Sequence, residues 1–474
     1  MDMTRHSAIL IFAVLSSCGT GGSKGDGGPG DALPGLDGRG TELPDALGDG
    51  SSGDGVPVDV PPGDVETAGA APDGTLDIVE AALLTDGVLQ DVPADISDAA
   101  DDAELAVPEV VPQDLVPAYQ FPNQWGPFEV GVRKYQWFDM ERMRLVPTTI
   151  WYPGIPGSQP KAKYLVLIEG NAYSNTLADT SGAPYPMVLF SHGFRGVAVQ
   201  SVSFTEFIAS HGYVVVAMDH TGNTLTDFFS DDQKVAEVAL ERPKDVVYAY
   251  KQACAESLKG GSPLNGMVDP SRVAMSGHSF GGWTALMIGG GQVPVTEAQA
   301  ACASGAPSNI FCDYVGYWPA GDIVKVDPGA IPGLKALVAL APGGYSSFGE
   351  DGLDTVKVPG MIFGGTLDPT TPVPIEIDPI YGALPTPKYE VVLKDVSHMS
   401  FTNVCDIPLA DQALSDYCGV EGMLEADDTF VMVNGLAVSF LDYYVKKIDA
   451  AHAYLKPEFV ASFYPTAIYH SQEQ

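Results

Sequence analysis

The stretch Arg272 to Leu286, RVAMSGHSFGGWTAL, sets a serine between glycines at the junction of two different patterns. Val273, Ala274 and Met275 read as the end of a buried strand, and Trp283, Ala285, Leu286 and Met287 read as a helix entering a core. A strand that turns at once into a helix leaves no room for a Cβ on either side of the turn, which suits Gly277 and Gly281. Such an elbow lifts the Ser279 hydroxyl clear of the sheet and brings the following amide, on Phe280, to a helix N-terminus. Developing negative charge is stabilised there. The expected chemistry is nucleophilic attack by Ser279, and as a bare pattern G-H-S-F-G also occurs in turns without chemistry.

A nucleophilic serine needs a base and an acid to orient it. The chain has eight histidines. Beyond Ser279 lie His398, His452 and His470. His398 follows the strand-like run YEVVLKDVSHMSF (Tyr389 to Phe401), whereas His452 and His470 sit in a polar terminal stretch and read as solvated. Between serine and base, the apolar run VPGMIFGGTLDPTTP (Val358 to Pro372) ends in a turn carrying Asp368, which makes the order nucleophile, acid, base. Asp354 and Asp378 are the alternatives, with a structural or solvated role expected for both. A second oxyanion donor is expected from YPMVLFSHGFRG (Tyr185 to Gly196), where the amide of Phe194 would join that of Phe280. His192 reads as a hydrogen-bonding residue that shapes this loop, His278 as a packing or wall residue, and His220, ending YVVVAMDH, as a residue of the pocket rim.

These residues carry a resemblance. WYPG at Trp151 to Gly154, LFSHGFRG, ASHGYVVVAMDH at Ala209 to His220, and GHSFGG are together similar to the platelet-activating-factor acetylhydrolase and dienelactone-hydrolase-like group of α/β-hydrolases. They also resemble bacterial cutinases and polyester hydrolases. The likeness runs from Phe128 to His398. It implies an α/β-hydrolase fold, with Ser279 as nucleophile, Asp368 as acid, His398 as base and the Phe194 and Phe280 amides as oxyanion donors. Dienelactone hydrolases proper use cysteine where this chain has Ser279, which speaks against lactone chemistry.

The elements that must hold these residues begin late in the chain. Of 474 residues, 119 to 474 alternate strand and helix patterns, as in a mostly parallel sheet covered on both faces. Early strands are expected at Glu129 to Val132 and Thr148 to Tyr152, and helices at Phe204 to Ser210, Val246 to Leu258 and Phe430 to Val445. Gly291 to Leu334 reads as a loop-rich insertion at the pocket rim.

Residues 1 to 18 read as a signal segment, with Arg5 before the short apolar run AILIFAVL and Leu15-Ser16-Ser17-Cys18 resembling a bacterial lipobox. Lipidation of Cys18 would tether an exported chain to a bacterial membrane surface; the alternative is plain secretion. Residues 19 to 118 hold 22 Asp and Glu against 2 Lys and Arg, with almost no aromatics, and so read as a disordered tether. The formal charge of −37 argues against nucleic acid as a partner. No metal-ligand spacing and no cofactor motif stands out, and a monomer is expected. Cysteine proximity suggests Cys302 with Cys312 and Cys405 with Cys418, and Cys254 reads as a buried free thiol, although sequence leaves connectivity open.

Three functions compete at this level. They are a short-acyl serine esterase acting on small or lipid esters, an enzyme with the same triad working as a polyester hydrolase, lipase or acyltransferase, and a surface binding protein without turnover.

Overall fold

The computed structural model describes residues 119–473 except 158, 228–229 and 308–310. The expected signal segment, Cys18 and the acidic tether lie outside the described residues.

The strands are β1 (Glu129–Asp139), β2 (Arg144–Gly154), β3 (Lys161–Tyr164), β4 (Ile168–Ser174), β5 (Tyr185–Ser191), β6 (Val214–Met218), β7 (Val268–His278), β8 (Gln292–Pro294), β9 (Ile323–Lys325), β10 (Leu334–Leu340), β11 (Gly360–Gly365), β12 (Lys388–Leu393) and β13 (Ile468–Gln472). Eleven of them form one sheet in the order β13-β12-β11-β10-β7-β5-β6-β2-β1-β4-β3. The centre, from β12 to β6, is parallel, while β13, β2 and β3 pair antiparallel toward the edges. With helices on both faces this is the α/β-hydrolase fold.

Strands β5, β6 and β11 are buried along their whole length, as near-continuous apolar runs covered on both faces should be. The pleat of β5 sends alternate residues to different cores. Val188 and Phe190 join Phe204, Ile208, Val433 and Leu436 on one face. Met187 and Leu189 meet Val246, Ala249 and Ala285 on the other. Helices Val202–Ser210 and Ala426–Tyr444 therefore cover the first face, and Asp232–Leu258 and Phe280–Gly289 the second. Each fully buried large side chain in these layers contributes on the order of 1.5–3 kcal/mol.

Several expectations need correction. β1 and β2 are eleven-residue strands forming one hairpin, extending well past the short apolar segments read from sequence. The expected Val246–Leu258 helix begins at Asp232 and runs through Pro243. Proline cannot donate to the carbonyl one turn back and usually punctuates a helix. Here burial of Val235, Ala236, Val238 and Ala239 ahead of it overrides that preference. The Gly291 to Leu334 insertion is packed: β8 pairs with β9, and Phe311, Val315 and Trp318 bury against Trp283. The Trp318 indole N–H donates to the Ala236 carbonyl at 2.9 Å. Disulfides join Cys302 to Cys312 and Cys405 to Cys418, while Cys254 is free and only half-buried.

Candidate active site

Ser279 sits directly beyond β7, the strand between β5 and β10. Its backbone is at φ 56° and ψ −117°, a conformation that costs a residue with a Cβ on the order of 1–3 kcal/mol. The turn is pinned from both sides. The Ser279 amide donates to the Leu340 carbonyl at 2.8 Å, and the Ser279 carbonyl accepts from the Trp283 amide at 3.1 Å. A Cβ on Gly281 would run into the Ser191 carbonyl, and one on Gly277 into the Gly281 backbone, so both glycines are required by close approach.

The Ser279 hydroxyl lies 2.9 Å from His398 Nε2, and His398 Nδ1 lies 2.7 Å from Asp368 Oδ2. The carboxylate partner fixes the proton on Nδ1, which leaves Nε2 free to accept from the serine. Asp368 follows β11 and His398 opens a short 3-10 turn after β12, so the parallel order of these strands brings both beside the elbow. Asp368 is itself held by the amides of Thr370 and Thr371, each at 2.8 Å, and by the Thr371 hydroxyl at 2.6 Å. Burial pushes its carboxyl up, but His398 and the Thr371 bonds outweigh that and hold it below the ordinary carboxylate value. Asp368 thus faces the imidazole as an anion.

Two amides lack an acceptor beside the serine. Among the described residues neither Phe194 N–H nor Phe280 N–H donates a hydrogen bond, whereas the neighbouring Gly193 N–H is taken by Gln200 at 3.1 Å. The Phe194 loop passes close by: a Cβ built on Gly193 would be 3.4 Å from the Ser279 Cβ.

Five of the other described histidines bear on the expectations from sequence. His192 donates from Nδ1 to the Gly193 carbonyl at 2.7 Å and accepts the His220 amide at Nε2 at 3.0 Å, as a loop-shaping residue would. His278 donates from Nε2 to the His398 carbonyl at 2.9 Å and accepts at Nδ1 from Gln200 at 3.0 Å. Gln200 and His278 therefore tie the Phe194 loop to the segment carrying His398. His220, expected at the rim, is fully buried; Asp245 and Ser191 hold it at 3.0 and 2.9 Å. His452 and His470, expected to be solvated, bond Glu473 at 2.9 Å and Glu390 at 2.6 Å, although His470 stays largely exposed. Asp354 and Asp378 are exposed, as expected.

Sequence reasoning missed Thr371, Tyr314 and Tyr417. Thr371 had a signal, since Asp368-Pro-Thr-Thr is an Asx-type turn with a hydroxyl placed to fold back on the acid. Tyr314 stacks on Phe194 with ring centroids 6.1 Å apart, and Tyr417 lies 6.4 Å from the His398 ring. Tyr314 lies two residues from the disulfide cysteine Cys312 and Tyr417 next to Cys418, so each sits in a bridged segment.

Comparison with known proteins fits this geometry. The chlorophyllase family model matches residues 176–301, which include the Phe194 loop and Ser279 but stop short of Asp368 and His398. The chain is 25% identical over 218 residues to cutinase est1 of Thermobifida alba, covering 46% of this chain and 54% of that protein. It is 26% identical over 202 residues to cutinase cut1 of Thermobifida fusca, covering 43% and 45%. Against the platelet-activating factor acetylhydrolase of Cavia porcellus the identity is 27%, over 22% of this chain and 32% of that one. The chain spans about half the length of the cutinases it matches. It is an α/β-hydrolase similar to cutinases.

Three buried histidines make acid stability a direct test of this polar interior. Burial lowers His192 and His220 well below the usual imidazole value, with the Arg242 charge adding to it, and burial, then His398, lowers His278 to about 3. In the unfolded chain each titrates near 6.5. The fold holds them neutral, so stability is complete above pH 7 and falls as pH drops below about 6.5, where only the unfolded chain takes up the protons. Three such groups set an upper bound of about 4 kcal/mol on the loss between pH 7.5 and 5.5. Urea unfolding at the two pH values checks this; equal stabilities would contradict neutral, buried imidazoles.

Proposed function

We propose that the protein is a serine hydrolase of carboxylic esters that works through an acyl-enzyme at Ser279. The observation that carries this reading is the continuous hydrogen-bonded chain from Ser279 through His398 to Asp368, at 2.9 and 2.7 Å. His398 Nε2 takes the proton as Ser279 Oγ forms a bond to the ester carbonyl carbon. The carbonyl oxygen becomes an oxyanion, received by the Phe194 and Phe280 amides. Collapse breaks the bond to the alcohol, which leaves with the proton from His398, and a water then repeats the cycle to free the acid. Asp368 orients the imidazole and stabilises its charged form.

The acyl group would lie among Phe194, Phe280, Tyr314 and Tyr417. Phe194 and Phe280 have ring centroids 6.4 Å apart, and the packed insertion brings Tyr314 against Phe194. Such a rim favours acetyl to butyryl esters, with phospholipid-like esters as larger substrates. Cutinase-like hydrolysis of polyesters is the second reading, favoured by the similarity to the Thermobifida cutinases.

Turnover of a p-nitrophenyl ester series tests both parts. Ser279→Ala and His398→Ala should each lower kcat by at least about four orders of magnitude, with the double variant no worse than either. Ser279→Ala retaining a tenth of the activity would end the assignment. Specificity constants should peak at acetyl to butyryl chains; a steady rise of about fourfold per methylene out to long chains would instead mark a lipase.

Export with a lipid tether at Cys18 is part of the same proposal. The lipobox-like Leu15-Ser16-Ser17-Cys18 supports it, as do the two disulfides, which suit an oxidising compartment. Cys18→Ser should move the protein from the membrane fraction to the soluble one, and unchanged fractionation would overturn the tether.

A further inference from the structure

Arg242 lies within the helix Asp232–Leu258 and is fully buried. No carboxylate lies within ion-pair distance of it among the described residues. Asp245, the nearby acid on the same helix, is engaged by Arg142 at 2.8 Å, Arg144 at 2.8 Å and His220 at 3.0 Å. The Arg242 guanidinium is met by neutral acceptors instead. Its Nε donates to the Thr284 hydroxyl at 3.2 Å, one terminal nitrogen to Asn223 Oδ1 at 2.9 Å, and the other to the Ser191 hydroxyl at 3.1 Å and to the His192 carbonyl. Its central carbon stands 4.4 Å from the Phe280 ring centroid.

Each of these partners belongs to one of the two segments that carry the free amides or bonds to it. Ser191 and His192 end β5 and lead into the loop that carries Phe194. Asn223 Oδ1 also accepts the Arg195 amide at 3.3 Å, just past Phe194. Thr284 lies one turn into the elbow helix and donates to the Phe280 carbonyl at 2.9 Å. Burial draws the guanidinium pKa down to about 9, against the pull of Asp245, which still leaves it charged at neutral pH. A buried cation without an anion in contact is costly to the fold. Such a cost is commonly accepted where an anion forms transiently, because a fixed charge in a water-poor site then stabilises the transition state.

We propose that Arg242 is a positioning residue of the oxyanion site, one cation that fixes both donor segments and whose uncompensated charge favours the tetrahedral oxyanion over the neutral ester. This rests on the esterase reading. The role separates transition-state from ground-state binding, so it should appear in kcat while leaving KM alone.

The test compares wild type, Arg242→Gln and Arg242→Lys with p-nitrophenyl acetate, counting functional sites by the burst of p-nitrophenol. Per titrated site, kcat should fall about 30-fold or more in Arg242→Gln, with KM within about threefold. The inhibition constant of phenylboronic acid, which binds serine as a tetrahedral anion, should rise in parallel. Arg242→Lys should recover part of both losses by restoring the charge. A purely structural role predicts fewer titratable sites but unchanged kcat and boronate affinity per site, and that result overturns the proposal. If Arg242→Gln does not fold, Asn223→Ala removes one of the guanidinium's acceptors and leaves the charge in place; kcat per site should fall with KM held, and an unchanged kcat would again overturn it. A wild-type protein without a Ser279-dependent burst would sink the esterase reading and this role with it, whereas a normal burst with unaltered Arg242→Gln kinetics sinks Arg242 alone.

Discussion

The close approach of Gly281 to the Ser191 carbonyl is the constraint on which the candidate site depends. It lets the elbow helix press against the end of β5, so that a serine at φ 56° can stand between the two. The strain of that backbone is held by the Leu340 and Trp283 hydrogen bonds and by burial of the elbow helix. Packing of this density has few alternative arrangements, so the serine keeps one position relative to both neighbouring loops. A methyl group at Gly281 would separate β5 from the helix, and with them the Phe194 and Phe280 amides.

A polar layer beneath the elbow extends that constraint sideways. Gln200 and His278 connect the Gly193 amide to the His398 carbonyl, which couples the proposed oxyanion loop to the proposed base. On the other side Asp245 pairs with Arg142 and Arg144 and accepts from the neutral His220 under the start of β2 and the long helix. In a medium of low dielectric such networks are rigid when every member is satisfied, and costly when one is not. Most of these groups are satisfied, and the buried Asn223 amide nitrogen and one Arg142 nitrogen are exceptions at its margin.

What could be read from sequence were features governed by local rules. The elbow declared itself because glycine is demanded two positions either side of Ser279, and the strand before and helix after it carry different periodicities. Asp368 and His398 were legible because each closes an apolar run whose strand ends on the same edge as β7. Proximity in sequence suggested the two disulfide pairs, and only the fold settles their connectivity. Arg242 and Asp245 were not, because charged residues beside a proline in a helix look solvated until β5 and the β1–β2 hairpin are laid across them. His220 was misplaced for a related reason: a strand end gives the edge of the sheet but says nothing of which side chain will cover it. The rim tyrosines depended on two disulfide loops whose path no period or motif encodes.

The proposed function stands or falls on Ser279 being an activated nucleophile. Intact-protein and peptide mass spectrometry after brief exposure to a fluorophosphonate measures this directly, since the reagent loses fluoride far faster to a serine whose proton is being withdrawn than to an ordinary hydroxyl. The account predicts a single phosphonyl group per chain on the peptide containing Ser279, absent from Ser279→Ala. Labelling at a different residue, or none in folded protein, would contradict it.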